Sequence, residues 1–125
     1  TTNMKKILLI LPITLLVLSC TDMQENNTVT ENTLASKVDY QDKINSKIYF
    51  ESEAYKMILF AMKKEQILKP HSAPMDTPLL MLEGEVKITI GGKAHVLNSG
   101  ESIILPKDID HAVYPNKDIK FVLIK

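Results

Sequence analysis

The sequence predicts an all-β domain, a small sandwich or barrel, and three observations carry that expectation. Short apolar runs follow one another at close, regular spacing from Lys47 to Ile124, many of them separated by Gly, Pro, Asn, Asp or Ser. One of them, Val86-Lys87-Ile88-Thr89-Ile90, alternates strictly between apolar and polar residues and runs into Gly91-Gly92, the pattern of a half-buried strand entering a tight hairpin. No stretch of the same region shows a convincing amphipathic helical period.

The chain has 125 residues, enough for one domain. Fifteen basic residues balance fifteen acidic ones, so the basic excess that marks a nucleic-acid footprint is missing. Much of the apolar content sits in one N-terminal block. Met4-Lys5-Lys6 is a charged start, and Ile7 to Leu18 is an apolar run interrupted by Pro12 and Thr14. A membrane-spanning helix needs about 20 apolar residues, so this shorter run fits the core of a secretory signal peptide instead. It ends in Val17-Leu18-Ser19-Cys20, which resembles the bacterial lipobox. In that signal the cysteine is lipidated and becomes the first residue of the mature protein. The resemblance implies a signal peptide with an upstream remnant over residues 1–19, lipidation at Cys20, and attachment to the inner or outer membrane of a bacterial envelope. Cys20 is the only cysteine, so no intramolecular disulfide can form.

Thr21 to Lys37 (TDMQENNTVTENTLASK) is polar and lacks a sustained apolar period. Such composition does not bury enough surface to offset its ordering entropy. Residues 20–37 are therefore expected to be a tether, and 38–125 the folded domain.

Within that domain, Lys47-Ile48-Tyr49-Phe50-Glu51 has the β-branched and aromatic character of a strand. Met57 to Met62 (MILFAM) is continuously apolar, compatible with a buried strand or one turn of helix. Pro70 and Pro74 exclude helix around His71. Leu79 to Leu82 lead into Glu83-Gly84-Glu85, where the glycine marks a turn or bulge. Val86, Ile88 and Ile90 should face the core, and Ala94 to Leu97 should return as the hairpin partner. The face opposite Val96 places His95 in solvent. Ser102 to Leu105, His111 to Tyr114 and Phe121 to Ile124 supply further strands, the first stopped by Pro106. A core of this size has little margin, and exposed sheet edges favour a homodimer.

From Val38 to Lys125 the pattern resembles the cupins. Their first motif has two histidines separated by one residue, a glutamate shortly after, and a glycine six residues beyond. His71 and Gly84 match; Ala73 stands at the second histidine and Pro78 at the glutamate. Their second motif is a glycine, five residues, a proline, one residue, a glycine, two residues and a histidine. Gly100, Pro106 and His111 fall in register, with Asp108 at the second glycine. The resemblance implies a double-stranded β-helix, or jelly-roll, barrel with His71 and His111 turned into one pocket. In metal-binding cupins the two histidines, the glutamate and the final histidine hold a divalent ion such as Fe, Mn, Zn or Ni. Here two imidazoles remain, and Asp76, Asp110 and Glu83 are the nearest candidates for a further ligand.

The expected site is therefore His71 and His111, with Met75 as a soft wall residue on the loop after His71 and Tyr114 as a phenol near the pocket. The bland alternative for the histidines is packing in the barrel wall with backbone hydrogen bonds. Met57, Met62 and Met81 fit core filling better than ligation of a soft metal, and Lys63, Lys64, Lys87 and Lys107 fit a solvated surface. No phosphate loop, nucleophile elbow or catalytic cysteine is present. The expectation is a lipid-anchored cupin binding a small metabolite. The alternative is a metal-dependent oxygenase, isomerase or lyase with a reduced ligand set.

Overall fold

The computed structural model describes residues 32–125, with Pro12 the one further described position. The expected signal peptide (Pro12 apart), Cys20 and the tether up to residue 31 lie outside the described residues. Among the described residues no helix is long and apolar enough to cross a membrane.

The described chain is built of strands and connecting turns, with almost no helix. A short 3-10 turn, Leu34–Lys37, precedes β1 (Asn45–Glu51), β2 (Lys56–Met62), β3 (Leu68–His71), β4 (Thr77–Glu83), β5 (Glu85–Ile90), β6 (Lys93–Asn98), β7 (Ser102–Leu105), β8 (His111–Pro115) and β9 (Ile119–Ile124). These form two antiparallel sheets, one in the order β1-β2-β9-β4-β7 and the other β3-β8-β5-β6. The expected jelly roll is the observed architecture.

The apolar MILFAM run is β2, sandwiched between β1 and β9. Burial on both faces explains why it lacks a readable period. Its alternate residues serve two cores. Met62 points inward with Leu79, Met81, Leu105, Ile119 and Phe121, against Val86, Ile88, Leu97 and Val113 of the other sheet. Phe60 stacks on Phe121 at 4.9 Å and 3°, as their cross-strand pairing dictates. Leu59 and Ala61 face the other way and join Val122 under Val38, with Leu34, Tyr40, Met57 and Leu82 around them. The last residues read as tether are therefore part of the folded body: ordered structure begins before Val38 and covers the outer face of the larger sheet. Thr33 caps the turn, its Oγ1 accepting from the Ser36 amide at 3.2 Å.

The Val86–Ile90 alternation holds, with Val86 and Ile88 fully buried and Ile90 packed against the core. Gly91 and Gly92 adopt φ of 55° and 81°, the left-handed pair a two-residue hairpin requires. His95 corrects the sequence reading. It pairs with Ile88 while Val96 pairs with Lys87, and cross-strand partners share a face. His95 is thus the half-buried residue, and Val96 is 55 % exposed. β3 was hidden in the sequence by Pro70, which sits where the β3–β8 register is irregular, a position that tolerates the missing amide.

Candidate functional site

Strand pairing brings the two histidines together. β3 and β8 run antiparallel, and His71 lies directly opposite His111. Their rings meet edge to face, centroids 4.5 Å apart and planes at 65°. His111 is held on its other side by Ile90 of β5 and is only 5 % exposed, whereas His71 is open to solvent.

The two rings differ in chemistry. His71 Nδ1 lies 2.8 Å from the Lys69 carbonyl. A carbonyl only accepts, so Nδ1 is the donor of this contact. His111 Nδ1 is buried without a hydrogen-bond partner. Burial first, and the neighbouring His71 second, hold the His111 pKa below its usual 6.5, while the Ile109 backbone and Asp110 pull the other way. An imidazole held toward its neutral form, with an unmet polar atom, thus lies beside a second imidazole whose Nδ1 is already engaged.

Both histidines line a cavity of about 410 Å³, with Ser72, Ala73, Pro74, Met75, Thr77, Leu105, Leu123, Lys56 and Lys125 completing the wall. The volume lies at the small end of ligand pockets, about 300–1,000 Å³. Two hydrogen bonds hold the loop over the cavity: Asp108 N donates to the Ala73 carbonyl at 2.8 Å, and Lys107 N donates to Asp76 Oδ1 at 2.7 Å. Asp108 has φ of 60°, the left-handed region where glycine is free and Asp is among the best-tolerated alternatives. That accounts for a glycine at this place in the resembling motif.

Met75 is among the residues that line the cavity. Tyr114 is not. It sits one residue out of phase with His111 and Val113, pairs with Lys87, and lies under the Lys87 ammonium at 5.0 Å on the outer face. Strand alternation also places Thr77, 2 % exposed, in the pocket wall, while Pro78 is absent from it. Thr77 therefore occupies the inward position that had been assigned to Pro78. Sequence reading missed Thr77, Lys56 and Lys125. The lysines come together only because β2 pairs with β9, Lys56 and Lys125 exchanging backbone hydrogen bonds. No local pattern encodes that meeting.

The residues present do not complete a family-type metal centre. Among the described residues no group of three His, Cys, Asp or Glu side chains is placed to hold a metal ion. The carboxylates considered from sequence are elsewhere: Asp76 caps the Lys107 amide, Glu83 accepts from the Tyr40 hydroxyl at 3.0 Å, and Asp110 is exposed and outside the lining. Two imidazoles alone fall short of the usual three protein ligands.

Comparison with known proteins agrees with this architecture. Residues 58–124 match the model of the cupin domain family. A cupin 2 conserved barrel domain protein from Leptotrichia buccalis is 38% identical with a TM-score of 0.69, over 73% of this chain but only 45% of that one. A Streptococcus pyogenes protein of unknown function is 27% identical over 68% of this chain and 75% of that one, with a TM-score of 0.63. An RmlC-like cupin from Desulfovibrio desulfuricans is 28% identical over 74% and 92%, with a TM-score of 0.64. No curated protein matches the sequence. With the paired strands, the two motif histidines and the matched span in agreement, this chain belongs to the cupin domain family.

Proposed function

We propose that this cupin domain binds a small metabolite in the pocket shared by His71 and His111. The observation that carries the reading is the cavity itself: about 410 Å³, walled by Met75, Leu105 and Leu123, with two cross-strand imidazoles as polar contacts. Apolar walls with a few placed polar groups are the general make-up of a ligand site. The test is a small-molecule binding screen on wild type and on His71→Ala and His111→Ala. Ligands should protect the wild type against thermal unfolding, since binding to the native state raises stability, and lose that effect in both variants. Stoichiometric Fe, Mn, Zn or Ni in purified wild type, lost in both variants, would overturn this reading in favour of a metal-dependent oxygenase, isomerase or lyase.

The same proposal includes a lipid anchor at Cys20 and a homodimer. The anchor is supported by the charged start, short apolar run and Ser19-Cys20 ending. Cys20→Ala should move the protein from the membrane to the soluble fraction, and unchanged membrane association would exclude the anchor. The dimer is supported by β1, an edge strand that leaves Ile48, Tyr49 and Phe50 44–51 % exposed, the kind of edge that recruits another strand. Ile48→Lys should shift the mass measured by light scattering from dimer to monomer.

A further inference from the structure

We propose that residues 72–76 form a flap that opens to admit ligand and closes over it, latched by two hydrogen bonds to the turn it faces. This rests on the binding reading above and adds the route into the pocket. The segment links β3 of the smaller sheet to β4 of the larger one. Four consecutive residues of it, Ser72, Ala73, Pro74 and Met75, line the cavity. Its ends are fixed by cross-strand pairs, His71 with His111 and Thr77 with Leu105. Between those ends Ala73 is half-buried, and Ser72, Pro74, Met75 and Asp76 are exposed. A segment with so little buried side chain belongs to the low-stability end of a structure, from which lids are drawn.

The facing turn, residues 106–110 between β7 and β8, is the fixed side of the opening. Ile109 N donates to the Pro106 carbonyl at 3.3 Å, and the Asp110 carbonyl accepts from the Gly91 amide of the β5–β6 hairpin at 2.8 Å. The latch donors are two adjacent amides of this turn. Lys107 N reaches Asp76 Oδ1 at 2.7 Å, and Asp108 N reaches the Ala73 carbonyl at 2.8 Å. Both acceptors sit on the flap, so lifting it breaks both bonds together. It breaks no strand ladder, because residues 72–76 belong to no strand. Water replaces each bond at small net cost, a factor of about two to ten in the equilibrium per bond. β3 adds freedom at the leading end. It is four residues long, stands at the end of its sheet, and has an irregular register around Pro70. At the trailing end Thr77 is only 2 % exposed although it lines the cavity, so it reports whether the flap is shut.

Two readouts test the flap. In hydrogen exchange of the unsubstituted protein, the Lys107 and Asp108 amides should show matched protection that does not change in low urea, the signature of one local opening. Thr77→Cys, combined with Cys20→Ser, places a thiol at the buried lining position, and its reaction with methyl methanethiosulfonate measures access. Asp76→Ala should speed that reaction by about two- to tenfold and keep it insensitive to low urea. Lys120→Met alters the outer face of the larger sheet, away from the pocket, and should leave the rate unchanged. A thiol sped equally by Asp76→Ala and Lys120→Met, with the urea dependence of global unfolding, would overturn the flap. Should Thr77→Cys fail to fold, exchange of the two amides only through global unfolding would overturn it as well. Neither readout needs a ligand, so failure of the flap and failure of the binding screen are told apart.

Discussion

Burial of His111 in the barrel wall couples its protonation to folding. Its folded pKa lies below the ordinary 6.5, chiefly through desolvation and then through His71. In the window between the lowered value and 6.5 the unfolded chain binds more protons than the folded one, so stability rises with pH through that window. It is complete above 6.5 and is lost as pH falls. Urea midpoints measured from pH 7 down to pH 5 should decline for wild type, and the decline should be shallower for His111→Gln. At Gly84 the controlling quantity is space. The residue has φ of 82°, and a Cβ there would lie 2.1 Å from the Asp118 carbonyl oxygen. Gly84→Ala combines that clash with left-handed strain and should cost about 2–4 kcal/mol in denaturant unfolding. The need for glycine was legible as a turn or bulge between Glu83 and Glu85; the close approach of the Asp118 carbonyl was not, because it comes from the β8–β9 connection.

At the level of elements, the N-terminal turn is attached by a polar clasp on the outer face of the larger sheet. Lys120 is 9 % exposed, donates to the Ala35 carbonyl at 2.8 Å, and lies 4.9 Å over the Tyr40 ring. The Tyr40 hydroxyl donates to Glu83, and burial together with that carboxylate pushes its pKa well above the usual phenol value. Lys120→Met keeps the apolar stem and removes the donor, so it should destabilise by about 1–2 kcal/mol. Hydrogen exchange should accelerate at the Ser36 amide, whose two acceptors both belong to Thr33. The pocket loop has its own fastening in the Asp76–Lys107 hydrogen bond. Asp76→Ala should cost about 1–2 kcal/mol and raise the exchange rate of the Lys107 amide. Strands with clean alternation or a glycine pair, such as β5 and β6, were readable because one face meets the core and the other water. β2 was ambiguous because both faces are covered, and β3 was missed because proline interrupts it. His95 was assigned to the wrong face, and Tyr114 was expected near a pocket it does not line, for a related reason: a slip of one residue exchanges the two sides of a strand. Only the cross-strand partners Ile88 and Lys87 settle which side each occupies.

For the molecule as a whole, stability is concentrated where the two sheets meet. Phe121 is fully buried and stacks on Phe60. Phe121→Ala should cost about 3–5 kcal/mol, a large share of the roughly 5–15 kcal/mol expected for a domain, and should lower the thermal midpoint sharply. The jelly roll, and the expectation that His71 and His111 share one pocket, were accessible through the resemblance to the cupin motifs. The lysines of the pocket wall were not, since Lys56 and Lys125 become neighbours only when β2 and β9 pair. That pairing also governs how the chain reaches its final state. β9, the last of the described strands in chain order, lies between β2 and β4 in the larger sheet, so no partial chain lacking it can complete that sheet. Its partners are distant in sequence, and loops of that length must close before their contacts are gained. Folding should therefore be slow, in the millisecond-to-second range of high-contact-order β proteins. A nascent chain stays open until residues 119–124 are available, and until then the unpaired edges of β2 and β4 are its main exposure to misassembly.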